Sequence, residues 1–232
     1  MGKKTILITG CSSGIGYDVA HTLSKKGWRV FATCRSEIDC DRLRNEGLES
    51  FILDYSSEES IQAAVDETLK RTKGTLDAVY NNGAYAIPGL VQDIPRNAYR
   101  AIFEVSLFGY FDLINKILPI MHDQGHGRII NCSSILGFTA IKARGAYNAT
   151  KFAMEGLPLP LIHISEPTRL LSISYAVFCL KKKILPIRDA YACLIISYDI
   201  AFFFLFPFPP FCFFLFCVSL PPFYSYDPFS IT

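Results

Sequence analysis

The amino-acid sequence predicts an α/β fold built on a doubly wound, mostly parallel sheet. Five short apolar segments alternate with longer segments of helical periodicity along the first two thirds of the chain. A glycine-rich turn joins the first apolar segment to the first helical one. This alternation makes a parallel sheet with helices on both faces the economical arrangement, and no internal repeat competes with it.

The first apolar segment, residues 6–8, runs into a glycine turn at residues 9–16 (TGCSSGIG), and a helical pattern follows through Leu23. Glycine at 10, 14 and 16 allows a tight reversal and a close approach of the backbone to a ligand. The amino terminus of the helix offers free N–H groups to a pyrophosphate. An ordinary glycine-rich turn is the alternative. The candidate nucleotide-binding residues here are Thr9, Gly10, Ser12, Ser13, Gly14, Ile15 and Gly16.

An arginine follows the predicted second strand, residues 29–33 (RVFAT). In this kind of sheet an acidic residue at that strand end binds the adenosine 2′-hydroxyl, whereas an arginine suits a 2′-phosphate. Arg35 therefore favours NADP as the cofactor. A solvated surface arginine is the alternative, because the sequence does not specify the direction of a side chain.

The third strand is predicted at residues 49–53 (ESFIL), and Asp54 closes it. A carboxylate at this position either accepts a hydrogen bond from an adenine amino group or forms a turn, and both interpretations stay open. Ser56 or Ser57 then caps a helix that extends through Thr72, with apolar residues at helical spacing.

Amide and small residues follow the fourth strand, which is predicted at residues 76–80 (LDAVY). Asn81 and Gly83 stand at its carboxyl end, where a flat ring or a ribose approaches closely in open parallel sheets. They are candidate cofactor-binding residues, with a plain turn as the alternative. A long helix is then predicted from Asn97 to about Gln124.

The fifth strand is predicted at residues 128–132 (RIINC), followed by Ser134 and by a helix that carries Tyr147 and Lys151. Tyr147 and Lys151 are four residues apart and therefore share one face of that helix. A lysine ammonium at this distance, helped by an oxidised nicotinamide, would favour the phenolate and move the phenol toward acid–base chemistry at neutral pH. A surface helix pair is the alternative, but Ser134 and the glycine turn at the same sheet edge favour a catalytic site.

In these residues the chain resembles the short-chain dehydrogenase/reductase family, in its classical branch. The resemblance covers about residues 3–157 and implies a Rossmann-type fold and hydride exchange between NAD(P)H and a carbonyl or alcohol. It also implies that Ser134 binds the substrate oxygen, that Tyr147 transfers the proton, and that Tyr147 and Lys151 contact the cofactor, Lys151 at the nicotinamide ribose. The matching positions are residues 9–16, Asn81-Asn82-Gly83-Ala84, Ser134 and Tyr147-Asn148-Ala149-Thr150-Lys151.

Two positions depart from the family pattern. Gly83-Ala84 stands where the family usually has Ala-Gly, a change that we expect to be tolerated. Ser106, a candidate catalytic residue, stands where the family places an asparagine that supports a proton-relay water, and serine is shorter. The ATCR segment around Arg35 is most similar to members that act on steroid- or retinoid-like alcohols. Family members pair long helices across subunits, which implies a homo-oligomer.

Charge and cysteine content bear on other classes of partner. The formal net charge is +2, no basic stripe is present, and nothing favours nucleic acid. Cys11, Cys34, Cys40 and Cys132 show no metal-binding spacing, so we predict no metal site and expect buried free thiols of a reducing compartment. The apolar run at the amino terminus is too short for a signal peptide, which predicts a cytoplasmic protein.

The composition changes after residue 157. We expect a nucleotide-binding domain over residues 1–157 and an aberrant hydrophobic tail over residues 158–232. Residues 161–169 and 173–183 resemble the translation of a sequencing-library adapter, and the phenylalanine-rich segment beyond resembles translated non-coding sequence. A membrane span is the physical alternative, since residues 200–220 carry no charge, but prolines at 207, 209 and 210 argue against it.

The carboxyl-terminal part of the domain is therefore predicted to be missing or replaced. The sheet is expected to end at its fifth strand with an apolar edge, because the tail has neither the alternation of a strand nor a helical period. Two functions follow from this. The chain is an NADP-dependent oxidoreductase preserved as an inactive fragment, or it is a non-catalytic nucleotide-binding or membrane-tethered protein.

Overall fold

The computed structural model describes residues 2–156 with their side chains and, farther along the chain, the backbone of four more strands within residues 179–220. The central sheet contains five parallel strands: β1 Thr5–Ile8, β2 Arg29–Cys34, β3 Glu49–Ile52, β4 Ala78–Asn81 and β5 Gly127–Ser134. They pair in parallel in the order β3-β2-β1-β4-β5. The parallel α/β sheet predicted from the sequence is confirmed.

The helices of the described chain alternate with these strands. Ser57 caps the third of them, as predicted, because its side chain accepts a hydrogen bond from the N–H of Ser60. The second helix was missed; it is strongly polar, and only Cys40 and Leu43 of it are buried. The bounds are α1 Gly14–Lys25, α2 Glu37–Asn45, α3 Glu58–Thr72, α4 Arg96–Phe103, α5 Gly109–Asp123 and α6 Gly145–Gly156.

A π-helical turn, Glu104–Phe108, joins α4 to α5. The sequence predicts one uninterrupted helix over this span, and the structure differs by this single wider turn. π-Helical turns within helices occur frequently at functional sites, so the residues of this turn matter for the site.

Alternate residues of the strands pack into two cores on opposite faces of the sheet, as the two-residue period of a strand requires. Leu7, Phe31 and Val79 lie in one buried cluster with residues of α3 and α5. Ile8 and Ala32 lie in a second cluster with residues of α1 and α2. The sheet is therefore covered on both faces, and the carboxyl ends of its parallel strands meet at one edge, where such sheets bind ligands.

The four strands described after residue 156 are β6 Cys179–Leu180, β7 Ala190–Ile196, β8 Ala201–Pro207 and β9 Phe213–Leu220. Strand β9 pairs antiparallel with β5, with Gly127 opposite Leu220 and Ser134 opposite Phe213. The expectation that the sheet ends at its fifth strand is therefore wrong. The edge of β5 offers a full row of backbone groups for pairing, and phenylalanine favours strands even where polar alternation is lacking.

Strands β6, β7 and β8 form a second, antiparallel sheet. Residues 161–169, on which the adapter interpretation partly rests, lie outside the described residues. Residues 200–220, the alternative membrane span, are divided between β8 and β9 where the structure describes them. Among the helices of the described chain, none has both the length and the apolar composition needed to cross a bilayer.

Candidate active site

The glycine turn packs directly against the loop that follows β4. Gly10 has a φ of +67°, and a Cβ on it would lie 2.6 Å from the Cα of Gly83. A Cβ on Gly16 would lie 2.4 Å from the carbonyl oxygen of Gly10. Neither position has room for a side chain, so the turn and the β4 loop form one compact wall at the edge of the sheet.

The first turn of α1 has no side-chain cap. Ser13, just before the helix, is extended and exposed, its side chain makes no capping hydrogen bond, and the first turn contains no acidic residue. Gly14 is exposed, with a φ of +61° and open space around the position of a Cβ. Arg42, which the sequence did not single out, donates to the carbonyl oxygen of Ser12 at 2.5 Å and steadies the turn. N–H groups at such a helix end bind anions.

Arg35 and Asp54 lie at the ends of neighbouring strands and differ in their contacts. Arg35 is exposed just beyond β2. Burial raises the pKa of the Tyr85 phenol, and the Arg35 charge acts in the opposite direction, so the two side chains lie near each other. Asp54 Oδ1 accepts from the N–H and the hydroxyl of Ser56 at 2.9 and 2.8 Å. These contacts favour the turn interpretation of Asp54.

A chain of buried hydrogen bonds connects the carboxyl ends of the strands. The hydroxyls of Thr9 and Tyr55 lie 2.8 Å apart, and Tyr55 Oη donates to Asn81 Oδ1 at 2.6 Å. Asn81 Nδ2 donates to Asn131 Oδ1 on β5 at 2.8 Å, and Thr9 Oγ1 accepts from the Gly83 N–H at 3.1 Å. The Asn81 amide is thus engaged within the scaffold. The sequence analysis missed Tyr55 and Asn131. The one feature of the sequence that could have indicated them is a polar residue close to the end of a predicted strand.

Ser134, Tyr147 and Lys151 come together where β5 meets α6. They are 2%, 7% and 1% exposed, respectively. The Lys151 ammonium donates to the carbonyl oxygen of Cys132 at 2.7 Å and lies 5.7 Å from the centre of the Tyr147 ring. Asn148 fixes the helix against the loop after Ser134, because its Nδ2 donates to the carbonyl oxygen of Leu136 at 3.0 Å.

Burial dominates the acid–base properties of this cluster. It raises the pKa of the Tyr147 phenol above its usual range, while the hydrogen bond with Ser134 and the Arg144 charge act in the opposite direction. Burial also lowers the pKa of Lys151, and the Glu155 carboxyl is among the groups that act against that shift. The sequence predicts that the lysine, helped by an oxidised nicotinamide, displaces the phenol toward the phenolate. Among the groups of the chain itself, desolvation of the phenol outweighs the neighbouring charges.

The π-helical turn packs against α6 and brings Ser106 to this region. Ser106 is fully buried, and its hydroxyl has no hydrogen-bond partner among the described residues. Tyr110, one turn later, is also fully buried, with a hydroxyl that finds no partner in the same part of the chain. Its ring centre lies 5.8 Å from the Lys151 ammonium. The sequence did not indicate Tyr110. Buried groups left without partners are rare in native folds and occur where chemistry needs them.

A doubly wound parallel sheet with a glycine turn after β1 is a nucleotide-binding architecture, and the buried Ser-Tyr-Lys cluster lies at the same edge. The model of the short chain dehydrogenase family matches residues 4–170. The chain belongs to this family, and the resemblance read from the sequence is confirmed. In the residues described with side chains, no group of three or more potential metal ligands is found, and the four cysteines at 11, 34, 40 and 132 are buried free thiols.

Curated relatives agree with this assignment. The chain is 37% identical over 153 residues to an uncharacterized oxidoreductase, YbbO, of Escherichia coli (strain K12), a match that covers 66% of this chain and 57% of that protein. It is 34% identical over 157 residues to the 17-beta-hydroxysteroid dehydrogenase type 6 of Bos taurus, covering 66% and 49%. The chain thus spans about half the length of the curated relatives it matches.

Solved structures of the family superpose on the fold. A short-chain dehydrogenase from Streptomyces avermitilis aligns with a TM-score of 0.67 and 31% identity, over 71% of this chain and 61% of that one. An actinorhodin polyketide ketoreductase variant with NADPH aligns with a TM-score of 0.66 and 28% identity, over 72% of this chain and 68% of that one. A short chain dehydrogenase/reductase from Burkholderia phymatum in complex with NAD aligns with a TM-score of 0.66 and 26% identity, over 72% of this chain and 62% of that one.

Proposed function

We propose that this chain carries the cofactor-binding and proton-transfer parts of an NADP(H)-dependent oxidoreductase that acts on a small-molecule carbonyl or alcohol. The observation that supports it is the buried cluster of Ser134, Tyr147 and Lys151. Burying an ammonium and a phenol at one sheet edge costs stability, and such clusters with shifted pKa values concentrate at functional sites.

The glycine turn suits a dinucleotide. The uncapped first turn of α1 and the open space above Gly14 fit a pyrophosphate held by residues 12–15. Gly10 and Gly16 permit the tight fold of the turn, and Thr9 fixes it to Gly83. When bound, NADP(H) supplies or accepts the hydride. In this proposal Asn81 supports the site from within the scaffold, and Asp54 shapes the neighbouring turn.

A preference for NADP over NAD is proposed from Arg35. Its exposed guanidinium stands at the end of β2, where a bidentate cation suits a 2′-phosphate. The acidic residues in the first turn of α2, Glu37 and Asp39, pair with Arg44 and Arg42. Because these carboxylates are paired with arginines, they repel a 2′-phosphate less than unpaired carboxylates would.

The roles within the cluster follow from its contacts. Ser134 is in hydrogen-bond contact with Tyr147, so both hydroxyls can reach one substrate oxygen. Tyr147 then transfers the proton to or from that oxygen, and Ser134 holds the oxygen in place. The Lys151 ammonium stabilises negative charge that develops on the phenol and holds the cofactor ribose. Ser106, buried beside α6, is proposed to bind water with its unpaired hydroxyl.

An apolar substrate body, steroid- or retinoid-like, is proposed from the loops around the cluster. The N–H of Gly89 donates to the carbonyl oxygen of Ala143 at 3.0 Å, which joins the loops after β4 and β5. These loops expose large apolar side chains, and a similar relative is named as a hydroxysteroid dehydrogenase. The exposed side chains are Leu90, Val91, Phe138 and Ile141.

A cytoplasmic homo-oligomer is proposed for the intact protein. Phe108 of the π-helical turn, Phe111 of α5 and Phe152 of α6 are exposed. They lie in the segments that are expected to pair across subunits. Exposed phenylalanines on adjacent helices favour burial against a second copy. The buried free thiols suit a reducing compartment.

We also propose that residues 158–232 do not supply the substrate half of the domain and that the 232-residue chain is inactive. The support is the composition of the tail and the antiparallel pairing of β9 on β5 within a sheet that is otherwise parallel. A substrate region built on this edge would need a different partner for β5.

The test is a chimera of residues 1–156 joined to the corresponding carboxyl-terminal region of the Escherichia coli relative, assayed for NADPH oxidation with a panel of carbonyls. We expect activity in the chimera and none in the 232-residue chain. Tyr147→Phe in the chimera should lower turnover by roughly 10²- to 10⁴-fold with an unchanged NADPH dissociation constant, because only the transferable proton is lost.

Tyr17→Phe, at a half-buried position of α1, keeps the ring that packs on the core, so it is the matched control and should leave turnover unchanged. Full turnover in the Tyr147→Phe chimera would remove Tyr147 from its role. Activity of the 232-residue chain would contradict the proposal that it is an inactive fragment.

A further inference from the structure

Glu155 lies one helical turn after Lys151 on α6 and turns back toward the end of β5. The hydroxyl of Ser133 donates a short hydrogen bond to Glu155 Oε1. Ser133 is fully buried and directly precedes Ser134 in the sequence. The carboxyl group therefore links the helix that carries Tyr147 to the strand end that carries Ser134.

The turn after Ser134 closes around this link. A Cβ on Gly137 would lie 2.8 Å from Glu155 Oε1 and 3.1 Å from the carbonyl oxygen of Lys151. A glycine is thus required for the turn to pack this closely on α6. Glu155 lies where β5, the turn and α6 meet, so a change in its side chain alters the packing of all three.

Glu155 also acts on the buried ammonium of Lys151. Burial raises the pKa of the Glu155 carboxyl to about 7, while the Ser133 hydrogen bond and the Lys151 charge act in the opposite direction. In return Glu155 and the Cys132 thiol raise the pKa of Lys151 against the effect of its own burial. In the described chain, the groups from the packed elements that bear on this carboxyl are Lys151 of α6 and Ser133 of β5.

We propose that Glu155 is a positioning residue, whose carboxyl group holds α6 against the end of β5 through Ser133 and, when ionised, keeps the Lys151 ammonium charged in its buried site. The proposal rests on the proposed function, since it assigns Glu155 to the same cluster. It has a specific consequence. Above neutral pH the charged carboxylate supports the ammonium, and below it the protonated carboxyl no longer does.

The first measurement is urea unfolding of the full 232-residue chain between pH 5 and pH 9. Because the pKa of Glu155 is raised in the folded state, the stability it contributes is present at low pH and is lost as the pH rises through about 7. Glu155→Gln keeps an acceptor for Ser133 and removes the titration, so this loss of stability should disappear. Ser133→Ala removes the hydrogen bond that lowers the Glu155 pKa, so the decrease in the free energy of unfolding should occur at a higher pH than in the wild type. Glu104→Gln, an exposed site, is the matched control and should behave as the wild type.

The second measurement is NADPH affinity by fluorescence titration at pH 6 and pH 8. At pH 8 Glu155→Gln should weaken binding on the order of threefold, as expected for a partly exposed charge pair, and at pH 6 it should match the wild type. A residue that only packs would weaken binding equally at both pH values. Equal weakening at both values, or an unfolding profile in Glu155→Gln that still loses stability through neutral pH, would overturn the proposal. Failure of the wild type to bind NADPH at either pH would overturn the proposed function, and the unfolding profile would still decide whether Glu155 titrates as inferred.

Discussion

The two sides of the candidate site differ in how their buried polar groups are satisfied. On the cofactor side, Thr9, Tyr55 and Asn81 are joined by a continuous chain of hydrogen bonds. On the catalytic side, the hydroxyls of Ser106 and Tyr110 are buried without a partner in the described part of the chain. The two sides adjoin, since the ring centres of Tyr55 and Tyr110 lie 4.8 Å apart, so the fold alone does not explain the difference.

We infer that the difference separates groups that hold the fold from groups that are available for chemistry. A satisfied buried network stabilises the folded state and specifies one arrangement, whereas an unpaired buried hydroxyl costs free energy. We therefore expect substitutions on the cofactor side to lower stability. Substitutions on the catalytic side should leave stability unchanged or raise it, as at many active sites.

The largest effect is expected at Gly10. Gly10→Ala combines a φ of +67° with a Cβ that would lie 2.6 Å from the Gly83 Cα, a backbone atom of a residue whose N–H is held by Thr9. Overpacking and left-handed strain together should lower the free energy of unfolding by about 2 to 5 kcal/mol. Urea denaturation of the chain measures this loss.

Gly14→Ala is the matched control for this prediction. Its φ of +61° is similar, but a Cβ there would meet no atom within 4 Å. Only the left-handed strain remains, so the loss should be about 1 to 2 kcal/mol. Equal losses at Gly10 and Gly14 would show that the contact with Gly83 does not constrain the turn.

The next effect compares two stacked tyrosines, whose ring centres lie 4.8 Å apart. Tyr55→Phe removes a hydroxyl that bonds Asn81 and Thr9, and should cost about 1 to 3 kcal/mol of unfolding free energy because buried partners are left unsatisfied. Tyr110→Phe removes a buried hydroxyl without a described partner, and should be neutral or stabilising. Chemical denaturation of both variants measures the contrast. A larger loss in Tyr110→Phe than in Tyr55→Phe would break the comparison between the two sides.

The sequence predicted the parts of this site that depend on local pattern. The glycine turn, the five parallel strands and the helical spacing of Tyr147 and Lys151 follow from residue type and period. It missed groups that meet only through the tertiary fold. Tyr55 reaches Asn81 across 26 positions and Ser133 reaches Glu155 across 22. Nothing in the local sequence marks such pairs.

Two further omissions have physical causes. Helix α2 was missed because it is strongly polar and buries few residues, so it lacks the apolar period used to predict helices. The depth at which Tyr147 is buried was not predicted, because the sequence shows the neighbouring lysine and not the burial, and burial is the largest cause of the raised Tyr147 pKa.

The smallest effect on stability is expected at Arg35, where the cofactor side meets solvent. Arg35→Asp changes an exposed side chain, so the free energy of unfolding should change by less than about 0.5 kcal/mol. Its effect should appear in recognition instead, because a carboxylate repels a 2′-phosphate and accepts hydrogen bonds from a 2′-hydroxyl. The ratio of NADH to NADPH dissociation constants, measured by fluorescence titration, should fall by on the order of tenfold, which corresponds to about 1.4 kcal/mol. Arg96→Asp makes the same charge change at an exposed site on α4 and should leave the ratio unchanged. An unchanged ratio in Arg35→Asp would make Arg35 a surface charge, whereas equal shifts in both variants would trace the preference to the overall charge of the protein rather than to a contact at the end of β2.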